Sequence, residues 1–341
     1  MDVTVTFFYH FVLILLSCYT CFILVPLPPT DVTLQRSTDK STTELSASWK
    51  VPSANDKNVI YKVRLEKVKS GENSEIEKKT ASAKNSHSFT GLVPGGRYQV
   101  HVWSEAGDDT DNQQVKSVEV NNDTPIYTIP LPPTDVTLQR STDKSTTELS
   151  ASWKIPSAND KNVIYKVRLE KVKSGENSEI EKKTASAKNS HSFTGLVPGG
   201  RYQVHVWSEA GDDTDNQQVK SVEVNNDTPI YTIPLPPTDV TLQRSPDKST
   251  TELSASWKVP SANDKNVIYK VRLEKVKSGE NSEIEKKTAS AKNSHSFTGL
   301  VPGGRYQVHV WSEAGDDRDN QQVKSVEVNN DTPIYTSKFC S

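Results

Sequence analysis

One stretch of chain written three times constrains this protein more than any other feature. The run PLPPTDVTLQRS begins at Pro26, Pro130 and Pro234, a spacing of 104 residues. Between the matched stretches 26–128, 130–232 and 234–336 only three positions differ, Thr38/Thr142/Pro246, Val51/Ile155/Val259 and Thr110/Thr214/Arg318. Solenoid repeats run to about 20–50 residues and cannot bury a core alone, whereas about 100 residues is the size of an independent domain. The fold must therefore close within one copy and be built three times. The expected division is 26–125, 130–229 and 234–333, with 334–341 as a C-terminal tail. Copies this alike point to recent duplication, to homogenisation between them or to a faulty gene model.

Charge and cysteine narrow the classes further. The chain holds 41 basic and 43 acidic side chains, a net charge of −2, so no basic excess exists to draw a nucleic acid. Fifteen Gly and nineteen Pro are too few for a collagen-like repeat, and near-neutral charge argues against a disordered tail. Cys18, Cys21 and Cys340 all lie outside the three copies, which removes both a disulfide framework and a cysteine zinc site from the body. Each copy must hold itself together with an apolar core.

The first 25 residues read as a signal peptide cut near 20–25. Phe7 to Leu16 form an apolar run of ten followed by the more polar SCYTC, a length that suits a signal core better than a membrane span. Carried on through Phe22-Ile23-Leu24-Val25 the segment would serve as an uncleaved anchor. Either way the copies are expected outside the cell, secreted or on the extracellular face of the plasma membrane. Removal of the leader leaves Cys340 as an odd thiol, unless Cys21 is retained, and an odd thiol in a secreted chain is expected to bridge two molecules as a disulfide-linked dimer.

Inside a copy the apolar residues alternate with period two, as in Leu45-Ser46-Ala47-Ser48-Trp49, Tyr61-Lys62-Val63-Arg64-Leu65 and Tyr98-Gln99-Val100-His101-Val102. That is the signature of half-buried strands, and turn chemistry separates them at Ser53-Ala54-Asn55-Asp56, Ser70-Gly71-Glu72-Asn73 and Pro94-Gly95-Gly96. The alternation sends Leu45, Ala47, Trp49, Tyr61, Val63, Leu65, Phe89, Leu92, Tyr98, Val100, Val102, Val118 and Val120 into the core. Two facing sheets can bury that set.

A Pro-rich start (Pro26, Pro28, Pro29), Trp49, Tyr61-x-Val63, the turn Leu92-x-Pro94-Gly95-x-x-Tyr98 and a closing Thr124-Pro125 together resemble a fibronectin type III domain, over essentially the whole copy and three times over. The resemblance implies an all-β chain of three tandem immunoglobulin-like, seven-stranded sandwiches, with strands A, B and E in one sheet and C, C′, F and G in the other, and no disulfide. It makes Trp49, Trp153 and Trp257 core residues, and Tyr98, Tyr202 and Tyr306 the tyrosines whose phenols tie the E–F connection. The run Pro-Gly-Gly-Arg-Tyr-x-Val-x-Val-Trp-Ser-Glu-Ala-Gly also resembles repeats in the ectodomains of receptor-type tyrosine phosphatases.

Reactive chemistry is sparse. His10 sits in the leader, and His87, His101 and their copies have no cysteine or His-x-x-x-His partner, so they read as strand-surface or loop residues rather than metal ligands. There is no G-x-S-x-G, no phosphate-binding glycine loop and no cysteine beside a base. No catalytic residue, cofactor or metal is expected. Asp108, Asp109 and Asp111 lack the ligand alternation and terminal Glu of a calcium loop and read as a solvated acidic turn. Asn122, Asn226 and Asn330 each open an Asn-Asp-Thr glycosylation pattern, although the following Pro and the strand-end position work against occupancy.

One residue runs against the alternation. Trp103 follows Val102, so a strand that buries Val100 and Val102 turns the indole to the outer face with Gln99 and His101. Arg64 should lie across from it on strand C, beside Lys62 and Glu66. The pairs Trp103/Arg64, Trp207/Arg168 and Trp311/Arg272 are thus either stacks that shield an indole or anchors of a binding face. The expected function is a non-catalytic extracellular array that binds or spaces, its partner an extracellular protein, matrix or cell-surface ligand. A second reading makes the chain part of a receptor ectodomain whose membrane span and effector lie elsewhere.

Overall fold

The computed structural model describes residues 25–68, 73–79, 85–106, 114–172, 177–184, 189–211, 217–248, 250–276, 281–287, 293–315 and 321–338. The leader, the acidic turn 107–112 and Cys340 fall outside them, as do Thr110, Thr214 and Arg318. Two compact units are formed, Met1–Leu131 with Ala158–Val163 and Glu209–Ser221, and Pro132–Ser157 with Ile164–Ser208 and Val222–Ser341.

Among the described residues every regular element is a strand. The first repeat runs β1 (Thr30–Arg36), β2 (Leu45–Lys50), β3 (Ile60–Val68), β4 (Asn73–Lys79), β5 (Ser86–Phe89), β6 (Arg97–Ala106), β7 (Val115–Lys116), β8 (Val120–Asn121) and β9 (Ile126–Tyr127). The second and third repeats take the same series. Strands β1, β2 and β5 form one antiparallel sheet, and β4, β3, β6 and β7 the other, with β8 and β9 also pairing β6. This is the two-sheet division that the resemblance implies.

Alternation does the sorting. In β2 the side chains of Leu45, Ala47 and Trp49 are buried while Ser48 and Lys50 face out, and in β3 Tyr61, Val63 and Leu65 are buried with Lys62, Arg64 and Glu66 only partly covered. With Phe89, Leu92, Tyr98, Val100 and Val102 these residues make the core of the first repeat, and the third repeats it. Each fully buried Leu, Val or Phe contributes roughly 1.5–3 kcal/mol relative to exposure. The indole of Trp49 lies 6.4 Å from the Tyr61 ring, centroid to centroid. The E–F turn is tied by Tyr98, fully buried, whose phenol oxygen accepts the Val93 N–H at 2.9 Å.

Two expectations are corrected here. Val118 is not a core residue but 70% exposed, and Val120 is only partly covered. The last strand is also not continuous: it meets β6 as three short ladders. The cause is two polar side chains that stand in for backbone. Ser117 Oγ accepts the Ser104 N–H at 3.0 Å, and Asn122 Oδ1 accepts the Val100 N–H at 2.8 Å. In return the N–H groups of Ser117 and Asn122 donate to Ser104 O and Val100 O. Each side chain satisfies a buried donor of β6 where the partner backbone swings away, so the strand breaks without orphaning its neighbour. The swing carries Val118 outward.

The hydrogen-bonded fold also runs past the Thr124-Pro125 boundary. Ile126 pairs with Tyr98 and Tyr127 with Arg97. Thr128 Oγ1 then accepts the Gly96 N–H at 3.1 Å and donates to Val93 O at 2.8 Å. The third repeat closes in the same way through Ile334, Tyr335 and Thr336.

Candidate binding face

The outer face of the six-stranded sheet is set by the β3–β6 register, in which Lys62 stands opposite Trp103, Arg64 opposite His101 and Glu66 opposite Gln99. Trp103 points to this face, and Arg64 is its diagonal neighbour, its guanidinium carbon 5.8 Å from the ring centroid. The copies repeat the stack, with Arg168 over Trp207 and Arg272 over Trp311 at 5.9 Å. A second cation, the Lys116 ammonium, lies 4.2 Å from the Trp103 ring centroid. The indole N–H donates to Glu105 Oε1 at 2.7 Å. Under this cover Trp103 is only 6% exposed, and Trp207 and Trp311 7%.

Glu119 organises the cover. Its carboxylate takes Arg64 Nη2 at 3.0 Å and Lys116 Nζ at 2.7 Å. His101 sits between two carboxylates, with Nε2 3.2 Å from Glu66 and Nδ1 3.8 Å from Glu119. Partial burial works against the charge on Glu119, but the hydrogen bond from Lys116 and the fields of Arg64, Lys116 and His101 outweigh it and hold the carboxyl below its ordinary value. What the face presents to solvent is therefore a mixed-charge strip. The Lys116 side chain is 46% exposed and that of Glu119 28%, against 21% for Arg64. Lys116 and Glu119 escape a reading by periodicity because they flank the break in the last strand. Their i, i+3 spacing of opposite charges is the one trace they leave.

The Asn122 amide is occupied on both sides. Besides accepting from Val100, its Nδ2 donates to Thr124 O at 2.7 Å, and the residue is 5% exposed. Asn226 and Asn330 make the same pair of bonds. Among the described residues no three His, Cys, Asp or Glu side chains converge as a metal site would require.

One three-stranded and one six-stranded sheet packed face to face, repeated three times, agree with a match of the fibronectin type III domain profile to residues 27–118, 131–222 and 235–326. The chain belongs to the fibronectin type III family. Human tenascin-N is 30% identical over 308 residues, 89% of this chain and 20% of that protein. Chicken receptor-type tyrosine-protein phosphatase eta is 23% identical over 286 residues, 84% of this chain and 18% of that protein. The chain thus spans about a fifth of the length of these relatives. Among solved structures, a two-domain fibronectin type III segment from chicken tenascin is 21% identical, covers 60% of this chain and 99% of its own, and superposes with a TM-score of 0.40.

Proposed function

We propose that this fibronectin type III array is an extracellular, non-catalytic adhesion or spacer module that contacts a matrix or cell-surface partner through the outer face of its six-stranded sheets. The observation that carries the reading is the recurrence of one mixed-charge face, built on Arg64/Trp103, Arg168/Trp207 and Arg272/Trp311, in every repeat. Three copies of a weak contact gain apparent affinity when the partner is itself repeated or surface-bound. Similarity to tenascin-N and to a receptor phosphatase supports an extracellular setting, and the latter favours a second reading as part of a receptor ectodomain.

The role of the indole follows from its cover: it shapes the strip from beneath, and the charged groups above it make the contact. The test is retention of the chain on cell-derived matrix and on cell surfaces. Reversal of Lys116, Lys220 and Lys324 to Glu, with circular dichroism unchanged, should reduce retention at least tenfold. Retention equal to that of the parent chain would leave the array as a spacer with no contact on this face.

A further inference from the structure

Each compact unit contains one contact between consecutive repeats, built from equivalent residues. In the first, Lys67 Nζ meets Asp160 Oδ2 at 2.7 Å with both side chains nearly covered, 14% and 10% exposed. The Asp160 N–H donates to Pro94 O at 2.8 Å. Gly95 stands at a φ of 74°, and a methyl there would strike Val163 Cγ2, with Pro130 and Ala210 at 3.4 and 3.5 Å. In the second unit Lys171 meets Asp264 at 2.8 Å, the Asp264 N–H donates to Pro198 O at 2.8 Å, and Gly199 packs against Val267, Ala314 and Pro234.

The connection between the repeats has no slack. At the end of the first, the Thr128 N–H donates to Gly96 O and the Ile129 N–H to Ser41 O, both at 3.0 Å. The Leu131 N–H already donates to Asn159 Oδ1 of the second repeat at 2.8 Å, and Asn159 Nδ2 returns a bond to Leu131 O at 2.9 Å. Only Pro130 stands between these anchors, and it is buried, with no N–H to satisfy and a fixed φ. Ile233, Pro234 and Leu235 repeat the arrangement, Ile233 bonded to Ser145 O at 3.0 Å and Leu235 to Asn263 Oδ1 at 2.7 Å.

These contacts fall on turns that each repeat needs for its own fold. Pro94 and Gly95 lie in the turn that the Tyr98 phenol ties through Val93, and Asp160 holds its own loop by accepting the Asn162 N–H at 3.0 Å. Unfolding one repeat therefore strips its neighbour of an ion pair, a backbone hydrogen bond and the apolar cover of a turn.

We propose that consecutive repeats are thermodynamically coupled through these joints, so that the three unfold as one cooperative unit instead of one by one. The stability of a repeat array is a sum of intrinsic terms and nearest-neighbour terms, and cooperativity grows with the second. A nearly covered Lys–Asp pair is the part of the joint least tolerant of losing one partner, because the other charge is left without its match.

Differential scanning calorimetry of the purified full chain, kept reduced so that Cys340 forms no bridge, tests this. Repeats this alike, if independent, would melt at one temperature with a calorimetric enthalpy about three times the van't Hoff enthalpy, whereas full coupling brings the ratio to about one. The parent should give a ratio near the coupled limit. Lys67→Asp with Lys171→Asp should raise it at least about twofold. Lys67→Met with Lys171→Met, which keeps most of the aliphatic stem, should raise it as well, with circular dichroism below the transition unchanged. Damage confined to single repeats would lower the midpoint and leave the ratio where it was. A parent ratio at the independent limit, or one ratio shared by the parent and both variants, overturns the proposal. Neither result bears on matrix binding through the sheet faces, which are other residues.

Discussion

Replacing Asn122, Asn226 and Asn330 by Ala tests whether a side chain carries part of the sheet. The Val100 N–H lies in the middle of β6 in a residue with no solvent exposure, and Asn122 Oδ1 is the acceptor that meets it at 2.8 Å. An orphaned buried donor costs about 1–3 kcal/mol, and the bond from Nδ2 to Thr124 O adds about 0.5–1.5 kcal/mol. Each repeat should then lose roughly 2–4 kcal/mol, a large share of the 5–15 kcal/mol typical of a domain. In urea the midpoint should fall by on the order of 1–2 M with little change of slope, the slope being about 1–3 kcal/mol per M. Thr124, Thr228 and Thr332→Ala is the companion variant. It erases the glycosylation pattern but keeps the carbonyl that Asn122 uses, and Thr124 is exposed. It should leave stability unaltered and change the mass of the chain expressed in animal cells by the substitutions alone, because in the folded repeat the amide nitrogen is committed to Thr124 O. A loss under about 0.5 kcal/mol per repeat in the Ala variant, or loss of a glycan in the Thr variant, would refute the reasoning.

Tyr98→Phe, made with Tyr202→Phe and Tyr306→Phe, strips the acceptor from the Val93, Val197 and Val301 N–H groups. It should cost about 1–3 kcal/mol per repeat in thermal unfolding, with no change in sheet content by circular dichroism. Glu119 supplies a pH dependence: its carboxyl is held below the ordinary value in the folded repeat, so its contribution is complete above the unfolded value and disappears as pH falls through the folded one. Acid titration of the parent and of Glu119→Gln should show the parent's advantage at neutral pH shrinking toward acid. An advantage constant with pH would contradict the assignment.

The parts of this fold that obey a simple period are legible in the sequence. Strands β2, β3 and β6 alternate cleanly, and every one of their inward residues from Leu45 to Val102 is buried where the alternation puts it. The last strand was not legible because its rule is different. Ser117 and Asn122 replace backbone acceptors with side-chain oxygens, and a single such replacement shifts the face of every residue after it, so Val118 reads as core and is exposed. The candidate face was legible in part. Alternation correctly turned Trp103 outward, but whether an outward indole meets solvent depends on the reach of its neighbours. Arg64 and Lys116 both fold over it, their charges gathered by Glu119 from beyond the break. The contact between the first and second repeats was the least legible of all, since Lys67 and Asp160, which meet at 2.7 Å, are far apart in sequence and ordinary in type.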